Sequence, residues 1–297
     1  MATNSNRLTF NMFHTTRVIY TPSVNKFLRF RDFRNEHLFA LFKNKDSLVD
    51  SICTQKDILE DCWIETEYSL DDLTLFDVFV IFLTWRINCV NNEIILDLGH
   101  THETHEIENW LYKAINLGSQ NFEKSYTEGD ITLTFNILNI RDEYEVYREQ
   151  MMNDLDDNTV FQENSKKLVS LCALRECNGA ELTTYQERER TYRHLPASTH
   201  HIFEDYREFI EEHFVTEDFL IYLGGDRVHF KLELIPILIK YVFTGSSESL
   251  IDQSMYLAKK ANMNYDTFMG LAPAETTNLI GKIKDSEEDS SEDQLIE

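Results

Sequence analysis

The segment Leu73–Asn88 limits what this chain can fold into more than any other. Phe76, Phe79, Val80 and Leu83 recur at helical spacing, and the uninterrupted apolar run Val78–Leu83 crosses them. A helix with that pattern is apolar around most of its circumference, so it must be buried on most sides rather than laid on a surface. Just upstream, Ser69-Leu70-Asp71-Asp72 offers an N-cap with acids in the first turn, where carboxylates favour the helix dipole. The same helical period extends back through Leu38, Leu41, Phe42, Leu48, Ile52, Ile58 and Leu59. The block from Glu36 to Asn88 therefore reads as a small helical core.

Strand patterns surround this block. Ile131, Leu133, Phe135 and Ile137 alternate with Thr132, Thr134 and Asn136, the signature of a half-buried antiparallel strand. Shorter strand patterns fall over residues 8–20, 26–33 and 93–98. From Lys166 to Leu279 the pattern is almost wholly helical. It includes one stripe through Leu168, Leu171, Cys172 and Leu174, and another from Leu195 through Phe214, with a break at Gly224-Gly225. Pro236 marks an N-terminal turn or a kink. The expected fold is α+β, mainly helical: a small N-terminal antiparallel β/α portion over residues 1–165 with two β-hairpin regions, a helical portion over 166–284, and an acidic disordered tail over 285–297.

Charge removes whole classes of function. With 52 acidic against 28 basic side chains the net charge is −24, which opposes a grip on nucleic acid or on anionic lipid. No stretch reaches the roughly 18 apolar residues of a membrane span, and the first residues lack the apolar core of a signal peptide. No membrane anchor is expected. The five cysteines are odd in number and scattered, which points to reduced thiols in a cytosolic compartment, most of them small core residues.

Two segments carry residues of interest. His100, His102 and His105 lie within six residues, with Glu103 and Glu106 as further ligands, a set able to hold zinc. The order is H-x-H-E-x-H rather than the H-E-x-x-H of a zincin, so a polar loop is the plainer reading and no metal or cofactor is assigned. The second segment is Lys26-Phe27-Leu28-Arg29-Phe30-Arg31-Asp32-Phe33-Arg34, the densest basic stretch in the chain. Lys26, Arg29, Arg31 and Arg34 there fit an acidic protein partner. Tyr256, Tyr265, Phe268 and Met269 in the last helices are candidate anchors, since aromatics and Met are frequent at interface cores. The acids of Arg141–Glu163 are expected on a solvated helix or loop.

Several segments together resemble the baseplate hub assembly proteins of T-even-like contractile-tailed bacteriophages. Tyr20-Thr21-Pro22-Ser23 with the following Lys26–Phe33 is similar to that family's Pro-Ser turn and Arg-Pro-Phe strand, with Asp32 where proline usually stands. Glu36–Leu41, Ile58–Cys62, Leu73–Phe79 and the closing Leu83-Thr84-Trp85-Arg86 resemble its first helical block. Leu195–Phe214, the Gly224-Gly225 turn and Leu232–Phe243 are similar to its run of helix, short hairpin and helix. Tyr256-Leu257, Tyr265, Phe268-Met269 and Pro273-Ala274-Glu275 resemble its closing hairpin. The resemblance spans about residues 17–284, discontinuously. Many relatives carry C-x-x-C pairs in two β-hairpins; here His102-Glu103-Thr104-His105 stands at the first position and no cysteine at the second.

The resemblance implies a structural or assembly role at the phage tail tip, without turnover. Its partners would be other baseplate hub and tail proteins. It would act in the host cytoplasm during assembly and be carried into the virion tail baseplate. Three alternatives stand beside it: a chaperone for the tape-measure protein that is absent from the finished virion, a metalloenzyme built on the histidines, and an acidic DNA-mimicking inhibitor.

Overall fold

The structure, a computed structural model, describes residues 15–44, 47–90, 92–97, 102–152, 167–216, 219–223, 226–243 and 245–293. The first two strands, β1 (Thr16–Thr21) and β2 (Lys26–Arg31), form an antiparallel hairpin. Helices α1 (Asn35–Lys43), α2 (Leu48–Cys62) and α3 (Leu75–Cys89) follow. A second hairpin, β3 (Glu93–Asp97) and β4 (His102–Glu106), leads into α4 (Ile107–Gly118). A four-stranded antiparallel sheet runs β5 (Lys124–Glu128), β6 (Ile131–Phe135), β7 (Leu174–Cys177) and β8 (Ala180–Glu181), with α5 (Ile140–Met152) between β6 and β7. Next come α6 (Tyr185–His194), α7 (His201–Thr216), the hairpin β9 (Leu220–Leu223) and β10 (Asp226–His229), and α8 (Ile235–Val242). The chain closes with α9 (Ser247–Ala261), α10 (Tyr265–Met269) and α11 (Pro273–Asp293). The architecture is mainly helical α+β, as expected.

Helix α3 is the axis. Twelve of its fifteen residues are buried, and its rings reach outward to several neighbouring elements. Phe76 meets Phe122 and Phe214, Phe79 stacks on Phe230, and Phe82 meets Phe243. Trp85 lies against Phe30 and Phe33 beside the first hairpin. Each fully buried ring of this kind contributes roughly 1.5–3 kcal/mol. The N-cap is Thr74, not Ser69: the Asp77 backbone N–H donates to Thr74 Oγ1 at 3.4 Å, and the Asp77 carboxylate accepts from the Thr74 N–H at 2.8 Å. This is a capping box. Ser69 instead precedes a single 3-10 turn, Leu70–Asp72.

Asp77 also ties the first hairpin to this helix. Fully buried, it accepts from the Ser23 backbone N–H at 3.0 Å and from the Ser23 hydroxyl. The turn above it is tight: Asn25 takes φ +51° and donates its N–H to the Pro22 carbonyl, a left-handed position that asparagine tolerates.

Several elements differ from the sequence reading. The stripe Leu168–Leu174 is not one helix: helix covers 167–172, and the chain then turns into β7, whose Leu174 and Cys177 pair with Phe135 and Leu133 of β6. The histidine segment expected as a loop is strand β4. Pro236 sits in the first turn of α8, and Val228 and His229, in a stretch expected to be helical, belong to strand β10 instead. The acidic segment 285–293, expected to be disordered, continues α11 as far as Asp293. The division expected at residue 165 falls inside one sheet, β5-β6-β7-β8, and inside one continuous core. Residues 8–14 and Gly224-Gly225 lie outside the described residues.

Gly118 shows how closely the elements meet. A Cβ there would stand 2.6 Å from Pro22 Cγ and 2.9 Å from Phe76 Cβ, and both neighbours are fixed by ring or backbone. Gly118→Ala is expected to cost about 1–3 kcal/mol by overpacking. Urea unfolding checks this; an unchanged midpoint would show that α4 can slide away from the Pro22 turn.

Candidate functional site

The basic-aromatic segment is divided by the pleat of the first hairpin. Ile19, Leu28 and Phe30 point inward and are buried, as is Phe33 just beyond. On the outer face Tyr20 pairs with Phe27, Val18 with Arg29, and Thr16 with Arg31. Phe27 is 68% exposed and Val18 59%. Lys26 holds its ammonium 4.9 Å from the Tyr68 ring centroid, a cation–π contact. Of the four predicted cations, then, Lys26 and Arg29 are exposed and Arg31 is partly exposed.

Arg34 belongs to the interior. Its guanidinium bonds Asp61, and it reaches Glu36 at 2.8 Å. His37 completes this junction between α1 and α2. Its Nδ1 accepts the Arg34 backbone N–H at 3.2 Å, so its Nε2–H is free to donate to Asp61 Oδ2 at 3.0 Å. The Asp61 carboxylate is held down to about 2 by that hydrogen bond and then by Arg34. Cys62 Sγ lies 3.8 Å from His37 Nδ1. Thiol, imidazole and carboxylate thus stand in the order of a nucleophile, base and orienter. Burial forbids that use: Cys62 is fully enclosed and its thiol is pushed up to about 12, far from the thiolate that attacks. The three also form a metal-like cluster. However, Cys62 faces Nδ1 and Asp61 faces Nε2, and the Arg34 guanidinium already supplies the cation. The arrangement holds α1 against α2.

A second ionic cluster was not legible in the sequence. Asp142, in the first turn of α5, is buried between Arg188 at 2.5 Å and Arg175 at 2.6 Å. Arg188 also donates to the Leu182 carbonyl, and Arg175 to the Ile137 carbonyl. This corrects the solvated reading of the acidic stretch at that position. A cavity of about 340 Å³ opens beside the cluster. Four carboxylates and three guanidiniums line it, a balance that favours neither an anion nor a cation. The one local signal was Asn139-x-x-Asp142, a capping pair whose Asn139 side chain accepts the Asp142 N–H at 2.9 Å. The arginines come from β7 and α6, too far along the chain to be read.

The remaining candidates separate. Phe268 is buried at 1%, because the backbone around it is pinned by Asn35, whose Nδ2 donates to the Phe268 carbonyl at 2.9 Å. It is no surface anchor. Tyr256 and Met269 are partly buried against the core, and Tyr265 is exposed. Positions 102 and 105 lie in strand β4, pairing with Asp97 and Ile94. His100 lies outside the described residues. Among the described residues no helix is long and apolar enough to cross a membrane. Comparison with known protein families, curated proteins and solved structures finds no match to this chain.

Two measurements test the ionic interior. Asp142→Asn leaves Arg188 buried beside a neutral amide and is expected to cost about 3–5 kcal/mol in urea unfolding; a loss under about 1 kcal/mol would mean that water already compensates the arginines. Glu143, one residue on, is partly buried with Ile52, Leu59, Val78 and Ile140 on one side and Gln55, Lys56 and Tyr144 also around it, and burial pushes its carboxyl from 4.5 up to about 8. Across that window the folded chain keeps a proton that the unfolded chain has lost. Its contribution to stability therefore falls as pH rises from about 4.5 to about 8. Glu143→Gln is expected to flatten that fall. Parallel profiles for the two proteins would place the carboxyl in water.

Proposed function

We propose that this protein is a structural or assembly component of the tail tip of a contractile-tailed bacteriophage, a baseplate hub protein or hub-assembly factor that binds other tail proteins. The observation that carries the reading is where the family-like segments lie. Tyr20–Phe33 covers the first hairpin, Leu73–Arg86 covers α3, and Leu195–Phe243 covers α7, the β9–β10 hairpin and α8 in the expected order of helix, hairpin and helix. Tyr256–Glu275 covers α9, α10 and the start of α11. These segments interlock in one core, so the resemblance follows the framework rather than isolated surface motifs. An exposed aromatic and arginine pair on a firmly seated hairpin is the kind of feature an assembly protein uses, since such residues dominate interface energetics.

The test is co-purification of the tagged full-length chain from infected cells, set against the protein content of finished virions. Recovery with baseplate or tail proteins, and presence in virions, is the expected result. Recovery with the tape-measure protein alone, and absence from virions, would replace the hub reading with the chaperone. Recovery with no tail protein would overturn both.

A further inference from the structure

Two features of this molecule are complementary in charge. The first is the outer face of the β1–β2 hairpin, where Val18, Tyr20 and Phe27 lie beside Arg29 and Arg31. The Tyr20 and Phe27 rings touch, 5.3 Å between centroids, and form one apolar platform. The acids at its edge are already engaged. Asp61 is bonded to His37 and Arg34 and stands 3.8 Å from the Arg31 guanidinium. Glu65 is held below its ordinary value first by the Thr66 and Glu67 backbone N–H groups, and then by Arg29. Arg31 is steadied by a 2.7 Å bond to the Asp61 carbonyl, which fixes where its charge is presented.

The second feature is the end of α11. Ile283 is its last residue packed against the core. From residue 285 to 297 the chain carries seven acids and no base, with Leu295-Ile296 near its end. Asp285/Asp289, Glu288/Glu292 and Asp289/Asp293 are like charges four apart, an arrangement that destabilises a helix. They also crowd the negative end of the helix dipole, and the last turn holds no basic residue. Lys260 pairs with Glu287.

We propose that residues 285–297 of a second copy dock on the outer face of the β1–β2 hairpin, their carboxylates meeting Arg29 and Arg31 and Leu295-Ile296 covering the Phe27 platform. The contact is head-to-tail, so it propagates from copy to copy and closes into a ring where the rotation allows. It deepens the assembly reading by supplying a self-assembly step, and rests on that reading for its biological sense. Its test uses the purified chain alone, so its failure and the failure of the tail-tip reading are separate results.

Sedimentation velocity of the full-length chain at about 0.15 M ionic strength, where charges more than about 8 Å apart are largely screened, is expected to show mass rising with concentration. Phe27→Ser and Arg29→Glu change exposed side chains and are expected to weaken association at least tenfold, or about 1.4 kcal/mol, with unchanged circular dichroism. Glu288→Lys with Asp289→Lys and Glu292→Lys in the tail is expected to do the same. Mixing the Arg29→Glu chain with this tail variant is expected to restore a complex by charge exchange. A wild-type chain that stays monomeric throughout overturns the proposal, as does association that survives both the face and the tail substitutions. A tail that docks within its own copy also overturns it, and would show as a monomer whose tail amides lose protection on Phe27→Ser.

Discussion

Everything in this fold answers to the burial of α3. A helix with twelve of fifteen residues out of water needs a complete shell, and no single neighbour can supply one. The first hairpin, α2, α4, α7, the β9–β10 hairpin and α8 each close part of it, with ring contacts from Phe30, from Phe214 of α7 and from Phe230 and Phe243 just after β10 and α8. The two buried polar residues on this helix are fixed near its ends. Asp77 accepts from Ser23 and Thr74 at the N-terminal end, with burial pushing its carboxyl up and those donors drawing it back. Arg86 donates to the Val242 carbonyl at 2.8 Å near the other end, its burial lowering it to about 10. A helix pinned at both ends and packed between cannot shift without breaking buried hydrogen bonds, each of which is costly to leave unmade.

The same burial accounts for the charge distribution. Arg86 and Arg188 are buried and Arg34 is mostly so, where a planar fork can satisfy several acceptors at once. Most carboxylates have stayed outside. Arg29 is exposed because strand parity leaves it outside: Leu28 and Phe30 on either side take the inward positions. An exposed arginine beside an exposed phenylalanine is therefore a consequence of seating the hairpin on α3.

What could be read in the sequence was what local period encodes. The apolar run of α3, the alternation of β6 and the placing of Pro236 in the first turn of α8 all follow from residues within a few positions of one another. Leu174 shows where this fails. Its spacing from Leu168 and Leu171 is helical, but pairing with Phe135 outweighs local preference, as tertiary context commonly does for strands. Asp142, Arg175 and Arg188 were illegible for the same reason, since a buried ion cluster is defined by partners far apart in the chain. Phe268 was misjudged because an aromatic residue in a short terminal helix looks the same whether it serves a core or an interface. The Asn35 bonds that turn it inward come from the other end of the sequence.

Strong net charge and specific contact are compatible because they act over different distances. Two copies carrying −24 each repel wherever their fields overlap, but at physiological ionic strength that repulsion fades within a Debye length of about 8 Å. Inside that distance the local pairing of groups decides. Apolar platforms such as Tyr20 and Phe27 add attraction that salt does not screen. A protein built this way resists indiscriminate association through most of its surface and leaves contact to the few places where the acidic cover is interrupted. The first hairpin is the place proposed for such a contact, and it stays in position because Ser23 holds it to Asp77 on the buried helix.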